Sequence, residues 1–343
     1  MNTLTAHISR GARRRTILFL VSCIVAAGWS SAASAASGGY GWPVKPFDRP
    51  HPIRGSFGDP RTVFLAPPTQ AGLLTGSGAF SFHFGVDISA PDRTSVYPVV
   101  SGTVTQVTND WVGVDVGNGR SFQYWHIKPA VKRGQHVDTD KTVLGTILGG
   151  CQHVHFTELQ DGHAVNPLAL GHLAPYSDTT KPSVENISFR ATETGPDLMP
   201  TFIRGRVEMV AEAYDTPALS VPGAWHGMPV APALVTWRIQ GLAGKILVHE
   251  TIAADFRSTI PANSLFWSYY ARGTYQNMSV FGPHYSWRQP GCFLFKLTRA
   301  PFDTKSLHDG VYDLVVTATD IRGNHSSLSR RITIHNRPGW IGS

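Results

Sequence analysis

The sequence predicts an all-β protein of two domains, and three observations carry that reading. Between Val96 and Leu159, short apolar-alternating runs follow one another, punctuated by Gly102, Gly113, Gly117, Gly119 and Gly134, with almost no helical period. Asn118-Gly119 stands between two of these runs, and that dipeptide is a strong two-residue hairpin signal. A second set of alternating runs starts at Ser183, after a stretch holding Pro175, Ser177, Thr179, Thr180 and Pro182. The chain's 343 residues fit two domains better than one. Its 34 glycines and 24 prolines fit many turns and short strands.

Taken in order, residues 1–36 read as a secretory signal peptide. Arg10, Arg13, Arg14 and Arg15 make a basic start, Thr16 to Ala27 is mostly apolar, and Ala33-Ser34-Ala35 is a small-residue cleavage site. The apolar run is too short to span a membrane comfortably. Residues 37–52 form a Gly/Pro-rich lead-in whose aromatics, Tyr40, Trp42 and Phe47, are expected to pack on the first β domain. A short strand with a turn covers Ile53 to Arg61, and residues 62–80 are expected as a flexible loop. Residues 81–89 alternate polar and apolar residues like one strand. His83, Gly85 and Asp87 would share one face, and Phe84, Val86 and Ile88 the other. Strands are then expected at 96–100, 102–108, 111–117, 120–127, 143–148 and 152–159.

A linker at about 174–181 ends the first domain, 37–176. The second domain, 182–343, alternates over 183–189, 206–215, 235–239, 310–320 and 328–334, with a turn at Asp320-Ile321-Arg322-Gly323-Asn324. This pattern fits a β-sandwich with insertions. Residues 262–292 form a long aromatic insertion holding Phe266, Trp267, Tyr269, Tyr270, Tyr275, Phe281, Tyr285 and Trp287. It reads as local core for a long loop, or as a cover for a neighbouring groove.

The net charge of +7 is partly a property of the leader. Without its four arginines, 26 basic residues face 23 acidic ones, a net +3. That balance permits contact with an anionic cell wall, and no basic stripe for nucleic acid is present. Cleavage also removes Cys23. Cys151 and Cys292 remain, and an exported pair is a candidate disulfide joining the two domains.

The chemistry lies in histidines on strands. His83 and Asp87 share a face, as do His153 and His155 in Gln152-His153-Val154-His155-Phe156, with Val154 and Phe156 turned to the core. Tyr124 and His126 share a face in Tyr124-Trp125-His126-Ile127. A catalytic zinc takes three protein ligands and keeps a position for water. Spare histidines beside it can move protons and stabilise charge. Gly85 reads as clearance beneath the metal.

His-x3-Asp, then Tyr-x-His, then His-x-His-Phe, in this order in a small β domain, resembles the lysostaphin/LytM-type zinc endopeptidases. The resemblance covers about 50–170, including Ser56-Phe57-Gly58 with Arg61 and Tyr97-Pro98-Val99-Val100-Ser101-Gly102-Thr103-Val104. It implies a small antiparallel β-sheet metallopeptidase domain, with Zn2+ as cofactor and peptidoglycan peptides as substrate. By that similarity His83, Asp87 and His155 are the metal ligands, and His126 and His153 act on water and transition state. Tyr124 and Arg61 are candidates for lining the groove. The chain departs from the pattern at Leu148-Gly149-Gly150-Cys151-Gln152, which stands shortened where a Ser/Thr/Gly-rich run is usual. It departs again at Thr157, where Glu often comes directly after the last motif. Both departures are expected at the groove wall. Glu158 is expected on the core side.

The second domain resembles the immunoglobulin-like β-sandwich modules of secreted bacterial proteins. The function expected is an exported zinc metalloendopeptidase acting on peptidoglycan, in the periplasm, outside the cell or at the wall. The alternatives are a non-catalytic wall-binding or regulatory protein on the same fold, and a secreted protease acting on foreign protein. A lipoyl-type carrier fails, because the Asn118-Gly119 hairpin is followed by Arg120 and not by an exposed lysine. The sequence leaves open the bond cut and the oligomeric state.

Overall fold

The computed structural model describes residues 39–65, 70–277 and 290–337. The leader at 1–36 and Phe281, Tyr285 and Trp287 of the aromatic insertion lie outside the described residues. The described residues fall in one compact unit. Among them, no helix is long and apolar enough to cross a membrane.

Short strands build the N-terminal half. They are β1 (Ile53–Gly55), β2 (Pro60–Phe64), β3 (Gly78–Phe82), β4 (Val86–Ser89), β5 (Ser95–Val96), β6 (Gly102–Val107), β7 (Trp111–Gly117), β8 (Arg120–Trp125), β9 (Ile127–Pro129), β10 (His136–Val137), β11 (Gly145–Ile147), β12 (His153–Gln160) and β13 (His163–Val165). The main sheet runs β1-β4-β12-β8-β7-β6-β10, with β13 beside β12. At the β7–β8 hairpin, Gly117 pairs with Arg120. Asn118 and Gly119 take φ of 54° and 72°, the left-handed pair that this dipeptide favours in a type I′ turn. The apolar face of the sheet buries Val86, Ile88, Val154, Phe156, Phe122 and Tyr124, in keeping with the period of two.

The C-terminal half has β14 (Ser183–Arg190), β15 (Arg206–Tyr214), β16 (Leu234–Gly241), β17 (Ile246–Asp255), β18 (Leu294–Lys296), β19 (Phe302–Asp303), β20 (Gly310–Thr319) and β21 (His325–Ile334). They make two antiparallel sheets, β14-β15-β18 with β19 beside β15, and β17-β16-β20-β21. Ile187, Phe189 and Met209 of one sheet and Val235, Trp237 and Leu314 of the other are buried in a core continuous with Phe57 and Phe82 of the N-terminal half. The segment at 174–181 is tied down rather than free. Trp42 Nε1 donates to the Pro175 carbonyl, Arg322 Nε to that of Tyr176, and Asn324 Nδ2 to that of Asp178.

Residues 81–89 are not one strand. β3 pairs with β2, whereas β4 lies between β1 and β12. Between them the backbone of His83 exchanges bonds with the 56–59 turn: Gly58 N–H donates to the His83 carbonyl and His83 N–H to that of Asp59. This turn breaks the alternation. Phe84, expected beside Val86 and Ile88, is 38% exposed. Gly85 is required, but by β12 rather than by the metal. A Cβ there would stand 2.3 Å from the Phe156 carbonyl oxygen and 2.9 Å from His155 Nε2.

The described residues of 62–80 are likewise more regular than their composition implies. The β2–β3 pairing extends to Phe64 opposite Gly78, and a short helix, α1 (Gln70–Thr75), lies within the connection. The aromatic insertion supplies the reason. Its α2 (Phe266–Tyr269) and Tyr270 bring rings against Phe80 and Phe82. Phe266 and Tyr270 are fully buried. Phe266 and Tyr270 of the insertion are therefore core, and they hold β3 in place by burying apolar rings.

Glu158 faces the core, as alternation from His155 requires. It accepts hydrogen bonds from Tyr40 Oη at 2.5 Å, Arg120 Nε at 2.7 Å and His172 Nδ1 at 2.6 Å. Burial raises its pKa, but the hydrogen bonds from His172 and Tyr40 and the nearby Arg120 outweigh this and hold it below the ordinary 4.5. A depressed carboxyl pKa adds stability above the unfolded-state pKa that is lost as pH falls through the folded one. Glu158→Gln should therefore lower unfolding stability at pH 7 by about 1.5–3 kcal/mol. Urea unfolding should show that deficit shrinking as pH drops below 4.5.

Candidate metal centre

Register brings the first two donors together. β12 pairs with β4 so that His155 lies opposite Asp87, and directly opposed residues point to the same face. The break after β3 adds the third, because it turns His83 inward at 2% exposure. His83 Nε2 lies 2.7 Å from His155 Nδ1 and 3.2 Å from Asp87 Oδ1, and His155 Nδ1 is 3.2 Å from the same oxygen. Around a tetrahedral zinc with ligand bonds of about 2.0 Å, neighbouring donors stand roughly 3.3 Å apart. The three atoms thus form one face of such a polyhedron.

The surrounding bonds aim these donors. His83 Nδ1 donates to the Ser56 carbonyl at 2.8 Å, which leaves a lone pair on Nε2. His155 Nε2 lies 2.9 Å from Thr157 Oγ1. With the hydroxyl accepting, Nδ1 turns its lone pair to the same point. Burial, first, drops the His155 pKa to about 3, so the ring is neutral near pH 7. Arg61 Nη2 donates to Asp87 Oδ2 at 2.7 Å, which leaves Oδ1 for the cluster. Burial raises the Asp87 pKa, but His83, His153 and Arg61 outweigh it and hold the carboxyl well below its ordinary 3.8. Two imidazoles and one carboxylate, each oriented by a second bond, make a donor set that fits zinc.

The other two histidines stand beside this face. His153 Nδ1 donates to the Cys151 carbonyl at 2.7 Å, and its Nε2 lies 3.4 Å from Asp87 Oδ1. His126 sits between β8 and β9 at φ 63°, an unusual backbone state for a non-glycine residue. Its ring centroid is 4.6 Å from that of His153. Burial and then the neighbouring His153 lower its pKa to about 4.

A cavity of about 320 Å³ opens over the cluster, and Arg61 and His126 line it. Tyr124 does not. The left-handed step at His126 separates the two faces, and Tyr124 is fully buried, with its hydroxyl accepting from Val99 N–H at 3.0 Å. Cys151 and Cys292 are free thiols rather than a disulfide. Cys151 lines the cavity, whereas Cys292 lies by Glu212, 3.5 Å from Oε1, on the C-terminal sheet. Sequence reading placed Thr157 at the groove wall, but it is fully buried under His155. It also missed Asp92, which pins the short 148–152 turn by accepting from Gly150 and Gln152 N–H at 2.7 and 2.8 Å. Arg54, Trp225, Gln276 and Asn277 complete the cavity wall. The last three come from the C-terminal half and carry no motif.

Residues 81–167 match the family model described as Peptidase family M23. They span β4 to β13 and include all five site residues. A search among curated proteins finds no match. Among solved structures, a zinc-containing peptidase from Vibrio cholerae is 23% identical, over 37% of this chain and 38% of that one, with a TM-score of 0.29. A mutant catalytic domain of the prophage-encoded M23 protein EnpA from Enterococcus faecalis is 25% identical, over 26% and 79%, at 0.23. A chain of the SpoIIQ–SpoIIIAH pore-forming complex is 22% identical, over 39% and 90%, at 0.30.

Purified protein dialysed against zinc should hold about one equivalent by atomic emission, the stoichiometry of the His83, Asp87 and His155 donor set. His83→Ala and Asp87→Asn should each reduce this by at least about tenfold, and His126→Ala should leave it unchanged. Full zinc content in His83→Ala would mean that the ion sits elsewhere.

Proposed function

We propose that the protein is an exported zinc metalloendopeptidase that hydrolyses peptide bonds of bacterial peptidoglycan, in the periplasm or at the wall. The observation that carries this reading is the convergence of His83 Nε2, Asp87 Oδ1 and His155 Nδ1 within 3.2 Å under an open cavity. That cluster lies in a segment that matches an M23 peptidase model. When bound there, zinc supplies Lewis acidity that makes a water molecule acidic enough to yield hydroxide near neutral pH.

The chain's own residues do the rest. His153 is held by its Nδ1–H bond to the Cys151 carbonyl, so its unprotonated Nε2, 3.4 Å from Asp87 Oδ1, takes the proton of the attacking water. That proton then passes to the leaving amine. His126, neutral near pH 7, donates its N–H to the carbonyl oxygen as negative charge develops there. Arg61 keeps the second Asp87 oxygen occupied and the carboxylate fixed. The two-sheet C-terminal half reads as an immunoglobulin-like sandwich. Its Trp225, Gln276 and Asn277 wall the cavity and narrow the approach of substrate.

Digestion of purified cell walls, with measurement of newly released amino groups, tests this reading. Wild type should release amines, and a chelator should stop it. His126→Ala and His153→Ala should lose roughly 10²–10⁴-fold in rate, the usual contribution of a positioned acid–base group, while keeping their zinc. A zinc-loaded protein that sediments with walls and releases no amine would establish a binding role instead.

A further inference from the structure

Arg54, on β1, is left over by this chemistry. A guanidinium has five N–H donors and no way to shed its charge near neutral pH. Nη1 donates to the Cys151 carbonyl at 3.0 Å, and Nη2 reaches His153 Nε2 at 3.4 Å. Nε is buried without a hydrogen-bond partner. The flat face lies over the Trp225 ring, 4.2 Å from its centroid. Two of the five donors are therefore engaged, and hydrogens remain on both terminal nitrogens.

No carboxylate pairs with that charge directly, although buried Asp87 acts on it from a distance. Arg61, across the cavity, has Asp87 at 2.7 Å and Asp59 at 3.7 Å. Among the described residues, no carboxylate comes within 4.0 Å of Arg54. A buried cation with no carboxylate in contact is costly, and the hydrogens left on its terminal nitrogens offer a place for an arriving anion. The fork of an arginine suits a carboxylate above other anions of a peptide.

We propose that Arg54 is the specificity determinant of this cavity, receiving a carboxylate that the substrate peptide carries beside the scissile bond. Trp225 and the Cys151 carbonyl fix the plane of the guanidinium, and the remaining Nη1 and Nη2 hydrogens meet the two carboxylate oxygens. This rests on the peptidase reading above. The carboxylate is either the free C-terminus of the peptide or an acidic side chain. Acidic peptides are preferred over neutral ones, and neutral ones over basic ones.

A brace holding His153 and the Cys151 carbonyl would slow all substrates alike, so discrimination is the readout. The probes are soluble muropeptides, native or with their carboxylates amidated, and synthetic crosslinked peptides amidated only at the C-terminus or only at the acidic side chain. Wild type should favour native over amidated peptide in kcat/KM by roughly tenfold to a hundredfold, the range of a charge-assisted pair. Arg54→Gln should bring that ratio close to one. Arg54→Lys, which keeps the charge but not the fork, should fall between. The singly amidated peptides identify which carboxylate is read. Calorimetric binding of the same peptides repeats the comparison without turnover. Carboxylate-dependent binding lost in Arg54→Gln, with no hydrolysis by any form, would uphold Arg54 and overturn the peptidase reading. Equal handling of native and amidated peptides by wild type, or a ratio that persists in Arg54→Gln, would overturn the role of Arg54.

Discussion

The register of β4 against β12 is the constraint on which the site depends. It sets Asp87 opposite His155. Side chains alternate across a sheet, so a slip of one residue would send both donors into the core and bring Val86 or Phe156 to the cavity. The apolar face prevents this. Val86, Ile88, Val154 and Phe156 are fully buried and fill the other side of the same two strands. Burial of that size, about 1.5–3 kcal/mol for each large apolar side chain, fixes the register without any contribution from a metal.

Departures from regular strand geometry supply what the register cannot. The turn at His83–Gly85 swings His83 over the ladder, and the left-handed step at His126 turns that ring toward His153. Each donor is then aimed by a bond from behind: the Ser56 carbonyl for His83, Thr157 for His155, and Arg61 for Asp87. Asp59 ties this shell to the other half of the chain, accepting from Ser56 N–H and from Ala231 N–H. The C-terminal half is thus continuous with the site in two ways, through that buried carboxylate and through the wall residues Trp225, Gln276 and Asn277.

Much of this was legible in the sequence because it obeys a period of two. His153 and His155 against Val154 and Phe156, the Asn118-Gly119 hairpin and the core side of Glu158 are all consequences of alternation. The illegible parts arise from long-range contact. The 62–80 segment looks like a loop until Phe266 and Tyr270 pack on Phe80 and Phe82. Tyr124 looks like a groove residue only if the strand runs through His126, and it does not. Gly85 and Thr157 announce a special position, but only the fold shows that both serve the packing of β12 against the 83–87 turn. The expectation of a Cys151–Cys292 bridge follows from compartment and not from geometry, and the two thiols lie in different surroundings.

X-ray absorption at the zinc edge of the metal-loaded protein tests the central claim most directly. A site made by His83, Asp87 and His155 predicts nitrogen and oxygen neighbours at about 2.0–2.1 Å, with the outer-shell scattering of two imidazoles and no sulfur. A sulfur neighbour at about 2.3 Å would place Cys151 in the coordination sphere and contradict the assignment.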